Sequence, residues 1–161
     1  MSDEVLAHIQ ASAPRRIFGV GALAALGGML LYLAMAQPPA HPGWLVFLVG
    51  TGLTTLFLAD KMRRATLSAL ELTATEFRSS DGTRIATIDQ IEALDRGTFA
   101  FKPSNGFTLR LSVAAPRRWQ PGLWWGLGRR VGVGGVTSAA QTKAVAEILS
   151  AMLAERKMND R

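Results

Sequence analysis

Two uncharged apolar stretches near the N-terminus constrain this chain more than any other feature. "IFGVGALAALGGMLLYLAMA" runs from Ile17 to Ala36 and "WLVFLVGTGLTTLFLA" from Trp44 to Ala59, with "QPPAHPG" between them. A bilayer core takes roughly 17 to 25 apolar residues per helix, so the first stretch fits and the second is slightly short. The proline-rich linker predicts a tight turn, and a transmembrane helical hairpin is expected over residues 17–60. Arg15 and Arg16 precede the first span, Lys61, Arg63 and Arg64 follow the second, and the linker carries neither lysine nor arginine. Cytoplasmic flanks collect basic residues. Both chain ends are therefore expected on the cytoplasmic side of a bacterial inner membrane, with Trp44 at the outer interface.

The small residues inside the spans have two readings. Gly19, Gly21 and Ala24 match G-x-G-x-x-A, but a dinucleotide site needs a preceding strand and a soluble helix, and here the pattern lies in hydrocarbon. Close helix packing fits better: Ala24 and Gly28 form a small-xxx-small pair, and Gly50 and Gly52 offer a matching patch on the second span. Glycine and alanine are also simply common in membrane helices. A second open alternative concerns "AMAQ" at 34–37, which resembles a signal-peptidase site behind a basic pair, although the apolar run exceeds the usual 7 to 15 residues. The second span would anchor the chain either way.

Composition narrows the chemistry. The 161 residues include no cysteine, which excludes disulfides, thiolate zinc sites and thiol catalysis. The only histidines are His8 and His41, too few for a three-histidine metal centre. The spans carry no ionisable residue, which argues against a proton or ion path. Glu71, Glu76, Asp81, Asp89, Glu92 and Asp95 are scattered without a neighbouring histidine or lysine to complete an acid-base pair. "GVGG" at 132–135 lacks the Lys-Ser/Thr of a phosphate loop. Neither an enzyme, a cofactor, a metal nor a small-molecule substrate is expected.

After Arg64 the pattern changes to short alternating segments. "LSALEL" (67–72), "TEFRSS" (75–80), "TRIATI" (83–88), "QIEAL" (90–94) and "TFAFK" (98–102, with Phe99 and Phe101 on one face) read as strands, with a hairpin turn at Asp81-Gly82. In "FTLRLSV", Phe107, Leu109, Leu111 and Val113 share a face opposite Thr108, Arg110 and Ser112, the clearest half-buried strand in the chain. "RVGVGGV" (130–136) reads as a further strand. A terminal helix follows: Ser138 and Gln141 fit a capping box, and Val145, Ile148, Leu149, Met152 and Leu153 form one apolar stripe, with residues from Glu155 expected to fray. Six or seven antiparallel strands closed by one amphipathic helix make an α+β domain over residues 61–161, behind the hairpin and a separate cytoplasmic segment, residues 1–16.

Strands closed by a single C-terminal helix resemble the pleckstrin-homology (PH) fold, carried here by "ALELTATEFRSSDGTRIATIDQIEAL" and "SAAQTKAVAEILSAML". The resemblance covers residues 65–153 and is one of pattern. It implies a PH-like antiparallel sheet or barrel closed by the helix. Bacterial proteins that fuse such domains to membrane helices, including assembly proteins of photosynthetic complexes, are similar in layout. Phosphoinositide-binding members carry a dense basic motif in their first hairpin, where this chain has only Arg78 and Arg84.

One stretch stands apart: "RRWQPGLWWGLGRR" at 117–130. Between Arg96 and Ala146 there is no acidic residue, whereas Arg96, Lys102, Arg110, Arg117, Arg118, Arg129, Arg130 and Lys143 are basic, so this half of the domain is expected to be a one-signed field. A loop carrying Trp119, Trp124 and Trp125 between Arg117/Arg118 and Arg129/Arg130 is chemically suited to anionic inner-leaflet lipid. The same residues would also serve as a hot spot against an integral membrane protein partner, and some of the tryptophans could instead fill the core. Nucleic acid is disfavoured, because no recognised binding motif accompanies the basic stretch. The expected role is a non-catalytic, membrane-anchored interaction module, accessory to or assembling an inner-membrane complex, with a lipid-facing sensor or scaffold as the alternative.

Overall fold

The computed structural model describes residues 4–97 and 103–159. Its elements are β1 (Val5–Ile9), α1 (Ala13–Ala36), α2 (Pro42–Ala65), β2 (Leu70–Thr73), β3 (Glu76–Ser79), β4 (Arg84–Thr87), a 3-10 turn (Ile88–Gln90), β5 (Ile91–Asp95), β6 (Phe107–Leu111), β7 (Arg118–Gln120), β8 (Trp124–Leu127), β9 (Arg130–Val133) and α3 (Ala139–Asn159). The strand expected at 98–102 lies outside the described residues.

Both apolar stretches form helices long and apolar enough to cross a membrane. Each has 24 residues, or about 36 Å at 1.5 Å per residue. The second span is longer than its apolar run because Asp60, Lys61, Met62, Arg63 and Arg64 continue the helix, with Asp60 paired to Arg63 at 3.1 Å and to Arg64 at 2.7 Å. Pro42 occupies the first turn of α2, where its missing N–H costs nothing. His41 caps this helix, its Nδ1 accepting from the Gly43 N–H at 3.1 Å.

The helices pack closely at Gly27 and Gly52. A Cβ added to Gly27 would lie 2.9 Å from the Gly52 carbonyl oxygen, and one on Gly52 would lie 3.2 Å from that of Gly27. The expected packing set is corrected accordingly: Gly52 is at the crossing, but a Cβ on Gly28 or Gly50 would meet nothing within 4 Å, and Ala24 is exposed. A one-residue step turns a helix by about 100°, so neighbouring glycines face different surroundings.

The N-terminal segment is not separate from the domain. β1 pairs antiparallel with β2, placing Ile9 opposite Leu70, and both side chains are fully buried. The next residues continue into the domain: Ser12 N–H donates to Val136 O at 2.7 Å, Ser138 N–H to Gln10 O at 3.0 Å, and Arg15 Nη1 to Thr137 O at 3.3 Å. Gln141 departs from its expected role, since its side chain accepts from the Gln10 N–H at 2.9 Å and so ties α3 to the segment leaving β1.

The strands form two antiparallel sheets, ordered β1-β2-β3-β4 and β5-β6-β9-β8-β7. They do not close into a barrel. In β6 the expected alternation holds in part: Phe107, Leu109 and Leu111 are buried and Arg110 is exposed, but Thr108, expected on the outer face, is buried too, and Val113, beyond the strand's end, is exposed. The core of Leu72, Phe77, Ile91, Phe107, Leu109 and Val131 is joined by Val145, Leu149 and Leu153 of α3. Burial of each such side chain contributes about 1.5–3 kcal/mol before entropy is counted. The end of α3 is tied down rather than frayed: Arg156 donates to the carbonyls of Ile88, Asp89 and Ile91 at 2.9, 3.0 and 2.9 Å, satisfying the turn that links the sheets.

Candidate functional site

The segment expected as a loop is a β-hairpin. β7 and β8 pair with Arg118 opposite Gly126, Trp119 opposite Trp125 and Gln120 opposite Trp124, and Pro121-Gly122 lies in the turn. The period-2 geometry of a strand sends adjacent residues to opposite faces. Trp124 and Gln120 therefore point inward, while Trp119 and Trp125 lie on the outer face.

Trp124 is a core residue, only 1% exposed, and this corrects its place among the contact residues. Its indole N–H donates to Gln120 Oε1 at 3.0 Å, and Gln120 Nε2 in turn donates to Asp81 Oδ2 at 3.0 Å. Arg118 closes the network through a 3.1 Å ion pair with Asp81 and a hydrogen bond to the Thr83 hydroxyl. Burial pushes the Asp81 carboxyl up, but hydrogen bonds from the Thr83 N–H and from Gln120 outweigh it and hold the group at about 2. The turn expected at Asp81-Gly82, where Gly82 adopts φ +88°, thus also anchors the tryptophan hairpin from the opposite sheet.

The outer face is different in character. Trp119 is 50% exposed, and the Lys61 ammonium at the end of α2 sits 4.6 Å from its ring centroid, within cation–π range. Trp125 is half-buried and packs against Gly132 of β9, where an added Cβ would collide with the indole. Leu127 is exposed. Together with Arg117, Arg118, Trp119 and Gly126, Trp125 and Leu127 line a cleft of about 410 Å³. The turn of the hairpin packs against the helical base: Met62 Cε lies 3.1 Å from where a Cβ of Gly122 would be and 2.8 Å from that of Gly19.

The expected one-signed field is partly neutralised across the fold. Glu92 pairs with Arg110 at 3.5 Å, Asp81 with Arg118 at 3.1 Å and Glu147 with Lys143 at 3.9 Å. Arg129 donates to the Ser112 carbonyl. Arg117 and Arg130 are exposed and make no ion pair among the described residues. Sequence reasoning missed Lys61 and Asp81 as neighbours of the tryptophans. Nothing in the linear pattern signals either contact, since each depends on how α2 and the β3–β4 hairpin dock. Among the described residues no group of histidine, aspartate and glutamate side chains is placed to hold a metal ion.

No protein-family model, curated protein or solved structure matches this chain.

Proposed function

We propose that this protein is a non-catalytic, membrane-anchored interaction module of a bacterial cytoplasmic membrane, accessory to or assembling a membrane protein complex, and that its domain is a PH-like variant with an added N-terminal strand. One observation carries the reading: β1 precedes the helical hairpin, β2 follows it, and the two pair. A hairpin whose flanks share one sheet holds its domain at a fixed angle to the helices, as an adaptor requires. The pairing also supports both flanks lying on one side of the membrane, and the basic residues at 15, 16, 61, 63 and 64 favour the cytoplasmic side. Two antiparallel sheets covered by a terminal helix support the PH-like assignment.

The outward faces of α1 and α2 remain free for a partner, with Phe18 80% and Phe57 65% exposed. Photo-crosslinkers at these two positions in native membranes test the role. A recurrent integral membrane protein among the adducts is expected, and adducts to lipid alone would overturn it.

The second reading, a lipid-facing scaffold, is favoured by Lys61 stacking on the half-exposed Trp119. That contact keeps the aromatic hairpin beside the end of a helix suited to cross the bilayer.

A further inference from the structure

We propose that the cleft on the outer face of the β7–β8 hairpin is a binding site for one glycerophospholipid with an anionic headgroup, drawn from the leaflet at the base of α2. The proposal rests on the membrane reading of α1 and α2. The cleft, about 410 Å³, falls in the range of small-molecule sites. It is lined by the indoles of Trp119 and Trp125 and by Leu127, together with Arg117. A second groove of about 380 Å³ shares Trp119 and Trp125 and reaches Gly122, so the two indoles border both hollows.

Charge and continuity select the occupant. Arg118 is committed to Asp81, whereas Arg117 makes no ion pair among the described residues and can donate to a phosphate. The ring that forms one wall, Trp119, carries the Lys61 ammonium on its face. The cleft thus combines apolar walls with a cation that makes no ion pair among the described residues, and through Trp119 it adjoins Lys61 in the last turns of α2. Those turns fall where a spanning helix leaves the hydrocarbon, the layer that holds lipid phosphates and the glycerol esters on which indoles prefer to lie. A soluble anion would leave the apolar walls uncovered, and an acyl chain without a phosphate would leave Arg117 unmatched.

The test uses the full chain, because β1 belongs to the domain sheet. Protein reconstituted in bilayers of phosphatidylcholine and phosphatidylglycerol is transferred to mild detergent, and retained lipid is measured by native mass spectrometry. Retention of phosphatidylglycerol over phosphatidylcholine is expected, weakened roughly thirtyfold in Lys61→Gln/Arg117→Gln. Arg84→Gln, which removes an exposed charge from the other sheet, should leave it unchanged. Phosphatidylglycerol brominated near the ester should quench wild-type tryptophan fluorescence more than that of Trp119→Phe/Trp125→Phe. Equal weakening by Arg84→Gln would reduce the effect to net charge and overturn the site. Unchanged retention in the double-charge variant, or equal quenching in both proteins, would also overturn it. A chain that fails to sediment with bilayers at all overturns the membrane reading first, which a retained but unselective chain does not.

Discussion

Ile9 and Leu70 face one another across the β1–β2 ladder, both fully buried, although the whole helical hairpin separates them in the chain. The sheet is therefore completed only when residues on both flanks of the hairpin are present. Ile9→Ala should cost about 2–5 kcal/mol, the usual range for emptying a core site, read as a lowered Tm of the detergent-solubilised chain. Val5→Ala, at an exposed position of the same strand, should change it little. Equal Tm values for Ile9→Ala and wild type would remove β1 from the core.

The same pairing bears on processing and topology. Cleavage after Ala36 would discard β1, so the intact mass of the purified protein should include the residues before Ala36. Reporters fused at either end should report the same side of the membrane. A mature chain starting at Gln37, or reporters on opposite sides, would be incompatible with a β1–β2 sheet.

Helix packing makes a prediction at single-residue resolution. Gly27→Leu places a side chain against the Gly52 backbone, an overpacking that costs roughly 1–3 kcal/mol. Gly28→Leu projects into open space and should stay within about 0.5 kcal/mol of wild type. Thermal unfolding of the two variants side by side decides between them, and equal losses would mean the crossing is not at Gly27.

Asp81 gives the domain an acid-sensitive joint. Its folded value of about 2 lies below the unfolded 3.8, so its contribution is present above that unfolded value and is lost as pH falls from about 3.8 through 2. Asp81→Asn should lower Tm at neutral pH and flatten its decline over this acid window. A variant as acid-sensitive as wild type would assign the decline to other carboxylates.

The terminal helix should be indispensable. Leu149 is fully buried, and Leu149→Asp should cost several kcal/mol, enough to unfold a marginally stable domain. Arg156→Ala strips three backbone carbonyls of their donor and should cost about 1–3 kcal/mol. A circular dichroism melt that did not distinguish either variant from wild type would detach α3 from the fold.

Much of this architecture was legible in the residues. The hairpin was, because a membrane-length run without charge leaves a chain few other folds. So were strand β6, the Asp81-Gly82 turn and the α3 stripe, because period-2 and period-3.6 patterns and a glycine at positive φ are local properties. The aromatic stretch was visible as chemistry, yet its hairpin was not, since Pro121-Gly122 between short runs of mixed polarity reads equally well as a loop.

What the tertiary structure alone decided were relations between segments distant in the chain. It recruited Val5–Ile9 into the domain sheet, chose Gly27 over Gly28 at the crossing, and drew Asp81 to Arg118 so that a basic window became partly neutral. It also divided the tryptophans, burying Trp124 while leaving Trp119 beside Lys61. Local patterns fix which face of an element is apolar. Which surface that face meets depends on how whole elements dock, and no short window of residues encodes that.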